Sequence, residues 1–153
     1  MEIALYQPEI AGNVGTILRM AACLNVRCHI IEPCGFAFGE RALKRSGMDY
    51  LELAVLQRHA SWDAFTGWAE ENGKTMVLMT TKGAQPLPRA TFRHDDILIM
   101  GSESAGAPQA VHDMARIAVR IPMQRETRSL NMAIAAGIAL GEALRQTSGY
   151  PAE

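Results

Sequence analysis

Ile97-Leu98-Ile99-Met100-Gly101-Ser102-Glu103-Ser104-Ala105-Gly106-Ala107-Pro108 is the stretch whose reading decides the fold. Its first four residues are an unbroken apolar run, the pattern of a strand covered on both faces. A loop of small residues follows, with one acid in it. Pro108 then suits the first turn of a helix that reaches about Met114. Backbone N–H groups in such a loop are accessible to a ligand. Two readings stand side by side. One is an ordinary strand–turn–helix connection in which Glu103 complements the helix dipole. The other is a binding loop.

The same alternation runs through the chain. Glu2–Tyr6, Arg27–Glu32, Leu53–Leu56, Thr75–Thr80 and Ile117–Ile121 are further short apolar or β-branched runs, read as strands. Between them lie helical patterns. Ile17, Leu18, Ala21, Ala22 and Leu24 keep helical spacing from Val14, with Asn13 as the expected N-cap. Arg41, Lys44 and Arg45 share one face of a short helix that stops at Gly47. Ser61 caps a helix through Trp62, Phe65, Trp68 and Ala69 that ends at Gly73. The last helix is expected from about Arg128 to about Gln146. Strands interleaved with helices predict an α/β fold, a mostly parallel sheet flanked by helices. Ligands of such sheets sit outside the carboxyl ends of the strands. The loops to examine are therefore Gln7–Asn13, Pro33–Gly39, Thr81–Arg89, Gly101–Pro108 and Pro122–Arg128.

The 153 residues predict a single domain over 1–153. A chain of this size buries about 70% of its unfolded surface. Fifteen basic against sixteen acidic residues give a formal charge of −1, so any basic surface is local. Cys23, Cys28 and Cys34 are an odd set with no C-x-x-C, which predicts reduced thiols and a cytoplasmic chain. Glu2 stands where a signal peptide needs bases. The uncharged stretch Ser129–Gly141 falls short of the ~20 apolar residues of a membrane span.

Several chemistries lack their residues. No G-x-G-x-x-G follows the first strand. Gly101–Gly106 has the glycine spacing of a P-loop but continues Ala107-Pro108 where Lys and Ser/Thr are required. No G-x-S-x-G surrounds Ser102 or Ser104. His29, His59, His94 and His112 show no metal-ligand spacing and are expected as surface or satisfied core histidines, with no metal.

Two other segments carry chemistry. In Asn13-x-Gly15-x-x-x-Arg19, a guanidinium on a mostly apolar helix near a strand end suits phosphate or ribose oxygens. A first-turn cap plus a surface arginine reads equally well. Ile121-Pro122-Met123-Gln124-Arg125-Glu126-Thr127-Arg128-Ser129-Leu130-Asn131 enters a helix rich in Ala and Gly. That helix packs either in its own core or partly on a second subunit. Three basic groups lie in or beside the candidate loops: Arg41, Lys44 and Arg45; Arg89, Arg93 and His94; Arg125 and Arg128. Singly they read as solvated surface, and together they point to a polyanion.

In this order the three segments resemble the motifs of the SPOUT methyltransferases. Asn13, Gly15 and Arg19 match the first motif. Gly101, Glu103, Gly106 and Pro108 match the second. Ile121, Pro122, Met123, Arg128, Ser129, Leu130 and Asn131 match the third. The resemblance implies a trefoil knot at the C-terminal end, S-adenosylmethionine bound in it, and a homodimer. Ile31–Phe36, Gly47–Tyr50, Thr80-Thr81-Lys82-Gly83 and Gly149-Tyr150-Pro151 are similar to the minimal TrmL (YibK-type) branch. That branch methylates the ribose 2′-hydroxyl of the wobble cytidine or uridine in certain leucine tRNAs. The chain departs from the family at Ala105 and Ala107, where an arginine and a leucine are usual. It departs also at Ser102, where a proline is common, and at Val14, where a threonine is.

The resemblance implies that Met79, Gly101, Glu103, Ile121, Met123, Ser129 and Leu130 hold the cofactor. Arg19 is then the catalytic residue, with Ser129 and Asn131 beside it. Arginine keeps its proton at ordinary pH, so stabilising a developing alkoxide suits Arg19 better than accepting a proton. Arg41, Lys44, Arg45, Arg125 and Arg128 are the expected RNA contacts. The alternatives are a 2′-O-methyltransferase for another tRNA or rRNA nucleotide, and a non-catalytic RNA-binding protein.

Overall fold

The computed structural model describes residues 1–37, 39 and 55–152. Arg41, Lys44 and Arg45, the short helix expected around them and Gly47–Tyr50 lie outside the described residues.

The elements run β1 (Glu2–Tyr6), α1 (Ala11–Cys23), β2 (Arg27–Ile31), β3 (Leu56–His59), α2 (Trp62–Glu71), β4 (Thr75–Met79) and β5 (Gln85–Pro86). A 3-10 turn (Leu87–Arg89), β6 (Asp96–Met100), α3 (Gln109–Met114), β7 (Ile117–Arg120) and α4 (Met132–Gln146) complete the order. The strands form one seven-stranded sheet ordered β3-β2-β1-β6-β4-β7-β5. Every pairing in it is parallel. The expected α/β class, with helices flanking a parallel sheet, is what forms.

The central strands β1, β6 and β4 are largely apolar because both faces are covered. Ile3, Leu5, Ile30, Val77 and Leu98 pack against Val14, Ile17 and Leu18 of α1 and Ala136, Leu140 and Leu144 of α4. The alternate residues Ala4, Ile31, Met76, Leu78, Ile97 and Ile99 face Phe65 and Ala69 of α2 and Val111 of α3. Phe65 is fully buried, so its truncation to alanine costs about 3–5 kcal/mol.

Local rules set both ends of α2. Ser61 caps α2, its Oγ accepting the N–H of Ala64 at 3.1 Å. Gly73, at φ +62, closes it in the left-handed region, with Gly73 N–H on Glu70 O and Lys74 N–H on Ala69 O. Two expectations about starts are corrected. Asn13 does not cap α1: the helix begins at Ala11 after Ile10, and Asn13 lies inside it, buried. The last helix begins at Met132 rather than near Arg128, with Asn131 as its cap. The third strand is also displaced. It runs Leu56–His59, beyond the expected Leu53–Leu56, of which Leu53 and Ala54 lie outside the described residues, and His59 bonds the buried His29.

Candidate active site

The carboxyl ends of β4, β6 and β7 open into one pocket of about 640 Å³. Its apolar walls are Met79, Met100, Ile121, Met123, Leu130 and Met132, and main chain from Gly101 to Ala107 forms another side.

The wall at Gly101–Ala107 folds back on itself. Ser102 and Gly106 exchange N–H···O bonds, both 2.9 Å. A Cβ at Gly101 would stand 2.6 Å from the Gly106 carbonyl carbon, and Gly106 takes φ +70. Both glycines of the motif are therefore sterically required.

Glu103 joins this loop to α1. One carboxylate oxygen accepts the Glu9 N–H at 2.7 Å; the other accepts the Ile10 N–H and Asn13 Nδ2, both at 3.1 Å. The acid therefore complements the start of α1, ninety residues upstream, and not the helix that follows it. Glu9 returns the contact, accepting the Ser104 N–H at 2.8 Å and its Oγ at 2.6 Å. Those hydrogen bonds lower the pKa of Glu9 below its ordinary value.

Asn13 also accepts Asn131 Nδ2 at 2.9 Å. Asn131 Oδ1 in turn accepts the Ala133 N–H at 2.8 Å, capping α4. One chain of bonds, Glu103–Asn13–Asn131, thus ties together the three segments singled out in the sequence.

Met79, Gly101, Glu103, Ile121, Met123, Arg128, Ser129, Leu130 and Asn131 all line the pocket. Arg19 and Arg125 do not. Arg19 is exposed on α1, six residues and about 9 Å beyond Asn13 along the helix. The pocket also takes in Lys82 and His112, which the sequence reading did not place there. Lys82 stands in the quoted Thr80–Gly83 match, so a signal was present. Nothing in the sequence marks His112, expected as a surface or core histidine. His29 and His59 are core histidines: both are buried, with His29 Nδ1 and His59 Nε2 3.0 Å apart.

The lining can hold a neutral heterocycle against apolar side chains and main-chain groups, with polar residues at one end. Among the described residues no group of three or more His, Cys, Asp or Glu is placed to bind a metal ion. No helix among them is long and apolar enough to cross a membrane.

Residues 1–141 match the SpoU rRNA Methylase family. A tRNA (cytidine(34)-2'-O)-methyltransferase of Beijerinckia indica is 54% identical over 144 residues, covering 94% of this chain and 90% of that protein. The Escherichia coli protein of the same name is 39% identical over 153 residues, covering 99% and 96%. A solved structure described as giving structural insights into the 2-OH methylation of C/U34 on tRNA superposes with a TM-score of 0.90 at 39% identity. It covers 97% of this chain and 96% of its own. The SpoU methyltransferase AviRb from Streptomyces viridochromogenes, in complex with AdoMet, superposes with a TM-score of 0.85 at 26% identity. It covers 95% of this chain and 57% of its own.

Proposed function

Because the chain belongs to the SpoU rRNA Methylase family, we infer that it methylates tRNA at the ribose 2′-hydroxyl of the wobble nucleotide, cytidine or uridine. The observation that carries this is the single pocket built by all three motif segments, in a chain whose relatives bear that activity.

The methyl donor of this reading is S-adenosylmethionine, which supplies an activated methyl on a good leaving group. The fit rests on the pocket itself. Met79, Ile121, Met123 and Leu130 offer apolar walls for the adenine, and the doubled-back loop offers main chain at Gly101. Glu103 acts by holding that loop against α1. Ser129 and Asn131 stand at the polar end, where a ribose hydroxyl has to be aligned. The trefoil knot belongs to the same proposal. It is supported by the convergence of Thr80–Lys82, Gly101–Ala107 and Arg128–Asn131 on one cavity.

Arg19 is assigned stabilisation of the alkoxide that develops on the 2′-oxygen. It stands outside the pocket of its own chain, so in this reading it serves the pocket of a second copy. The homodimer is supported by α4. Its inner face packs in the core, yet Ile134 and Ile138, one turn apart, are 56% and 43% exposed. Arg128 and Arg125, with Arg41, Lys44 and Arg45, are assigned to tRNA phosphates. The whole of 1–153 is taken as one catalytic domain in the cytoplasm, and leucine tRNAs as its substrates.

The test is transfer of radiolabelled methyl from S-adenosylmethionine to tRNA from cells lacking this protein, followed by nucleoside analysis. Label on 2′-O-methylcytidine or 2′-O-methyluridine of the wobble position is expected. Label confined to another ribose would move the substrate; no label would remove the reading. Arg19→Ala is expected to abolish transfer while cofactor affinity and melting temperature are kept.

A further inference from the structure

The turn between β4 and β5 carries a cation to which the reaction described above gives no role. Lys82 stands in it on a backbone fixed from several directions. Thr80 donates its N–H to Val119 O at 2.9 Å, and Gly83 donates to Thr80 O at 3.1 Å. The Lys82 N–H reaches Thr80 Oγ1 at 3.3 Å. Arg120 spends one nitrogen on the turn, its Nη1 donating to Gly83 O at 2.8 Å and to Ala84 O at 2.7 Å. Gly83 presses so closely on β7 that a Cβ there would lie 2.6 Å from the Val119 carbonyl carbon.

The side chain on this fixed backbone is exposed and lines the pocket. It forms no ion pair among the described residues. Arg128, from the segment leading to α4, is likewise exposed, lines the pocket and is unpaired among them. The carboxylate in the lining, Glu103, is turned to α1 and holds three donors there. Among the described residues lining the pocket, the rim therefore presents two cations with no acid left to neutralise them.

A ribose whose 2′-hydroxyl enters the pocket carries a phosphodiester on the adjacent 3′-oxygen, so an anion must come to this rim. A lysine ammonium is a compact point charge suited to it. A turn held rigid leaves less freedom to lose when the contact forms. We propose that Lys82 is a phosphate-binding residue for the RNA substrate, sharing with Arg128 the phosphodiester beside the methylated ribose. Arg120 is the positioning residue that fixes the turn. This rests on the ribose methyltransferase reading and names how that site holds its substrate.

Lys82→Gln keeps an unbranched polar side chain, one atom shorter, and removes the charge. The KM for tRNA is measured between 50 and 200 mM salt (about the range over which phosphate contacts weaken strongly) at saturating S-adenosylmethionine. Calorimetry gives the cofactor affinity. The expected result is a several-fold rise in KM for tRNA at the lowest salt. The slope of log KM against log salt should fall by about 0.7, as for one lost contact to a single strand. Cofactor affinity and melting temperature should not move. Lys82→Arg restores the slope, and Arg120→Met raises KM while leaving the slope near its original value.

An unchanged salt slope in Lys82→Gln would overturn the proposal, as would a weakened cofactor, which would put the ammonium on the cofactor's carboxylate instead. Failure of the unaltered enzyme to methylate tRNA in the same assay would sink the functional reading itself, and this proposal with it.

Discussion

Asn131 donates its Nδ2 to Oδ1 of Asn13 at 2.9 Å, joining residues 118 positions apart. The bond places the start of α4 against the first turns of α1, while Glu103 binds Asn13 from the other side. Replacing Asn131 by alanine removes an N-cap, about 0.5–2 kcal/mol. It also leaves Asn13 Oδ1 without a donor in a residue only 8% exposed, about 1–3 kcal/mol more. Urea unfolding of Asn131→Ala should show a loss of about 2–3 kcal/mol with the m-value kept, and weaker cofactor binding. Asn131→Asp retains the cap acceptor and loses the donor, so it should fall between. An unaltered urea midpoint in the alanine variant would count against the network.

Three glycines separate close approach from mere helix placement. A Cβ at Gly101 or Gly83 meets main-chain carbon at 2.6 Å, and main chain cannot swing aside. Gly101→Ala and Gly83→Ala should each reduce methyl transfer by at least an order of magnitude, with the cofactor dissociation constant rising in Gly101→Ala. Gly67, inside α2, has nothing within 4 Å of its would-be Cβ. Gly67→Ala should therefore stabilise by about 0.5–1 kcal/mol and leave turnover alone. Full activity in Gly101→Ala would remove the steric account of the loop.

Asp96 has no exposed surface, and its carboxylate accepts from Thr75 Oγ1 at 2.7 Å, the Arg93 N–H at 2.8 Å and Arg116 Nη2 at 2.5 Å. Removing the cation strands a buried charge, so Arg116→Met should cost about 3–5 kcal/mol. For a chain of this size that lowers the melting temperature by roughly 10 °C or more. Asp96→Asn combined with Arg116→Met should recover part of the loss. A single variant melting within about 2 °C of the parent would show that the pair is not holding the N-terminal ends of β4 and β6.

The sequence made the sheet legible because its strands are buried on both faces, so apolar runs such as Ile97–Met100 stand out. What it could not show was non-local. Asn13 precedes a helical pattern as a cap would, but α1 starts two residues earlier without a side-chain cap, and Asn13 instead bonds Glu103 and Asn131 from inside the helix. Leu53–Leu56 reads as a strand because its residues are apolar. The edge strand instead uses Gln57, Arg58 and His59, whose polar pattern makes sense only once His29 is beside it. The motif segments showed that Met123, Ser129 and Leu130 matter. Only the fold shows that Arg19 lies outside the lining of its own pocket and that Lys82 is part of it.

His59 and Glu2, on either side of His29, set a pH dependence whose sign follows from their surroundings. Burial alone would raise the pKa of Glu2, but hydrogen bonds from His29 at 2.7 Å and Lys74 at 2.6 Å hold it at about 2, against 4.5 ordinarily. With Glu2 a carboxylate, His29 Nε2 is the donor to it. Burial, then the neighbouring His29, lowers the pKa of His59 below 6.5. Phe65 and Trp68 pack against both rings. In both cases the unfolded chain binds protons more readily than the folded one, so stability rises with pH. The His59 contribution is complete above pH 6.5 and is lost as pH falls below it. The Glu2 contribution is complete above 4.5 and is lost between there and about 2. Chemical denaturation at intervals from pH 8 to pH 3 should therefore show a decline in two stages. His59→Phe should flatten the upper stage, and Glu2→Gln the lower. A stability that stays level from pH 8 to pH 5 in the parent protein would contradict the His59 assignment, and one that stays level from pH 4.5 to pH 3 would contradict the Glu2 assignment.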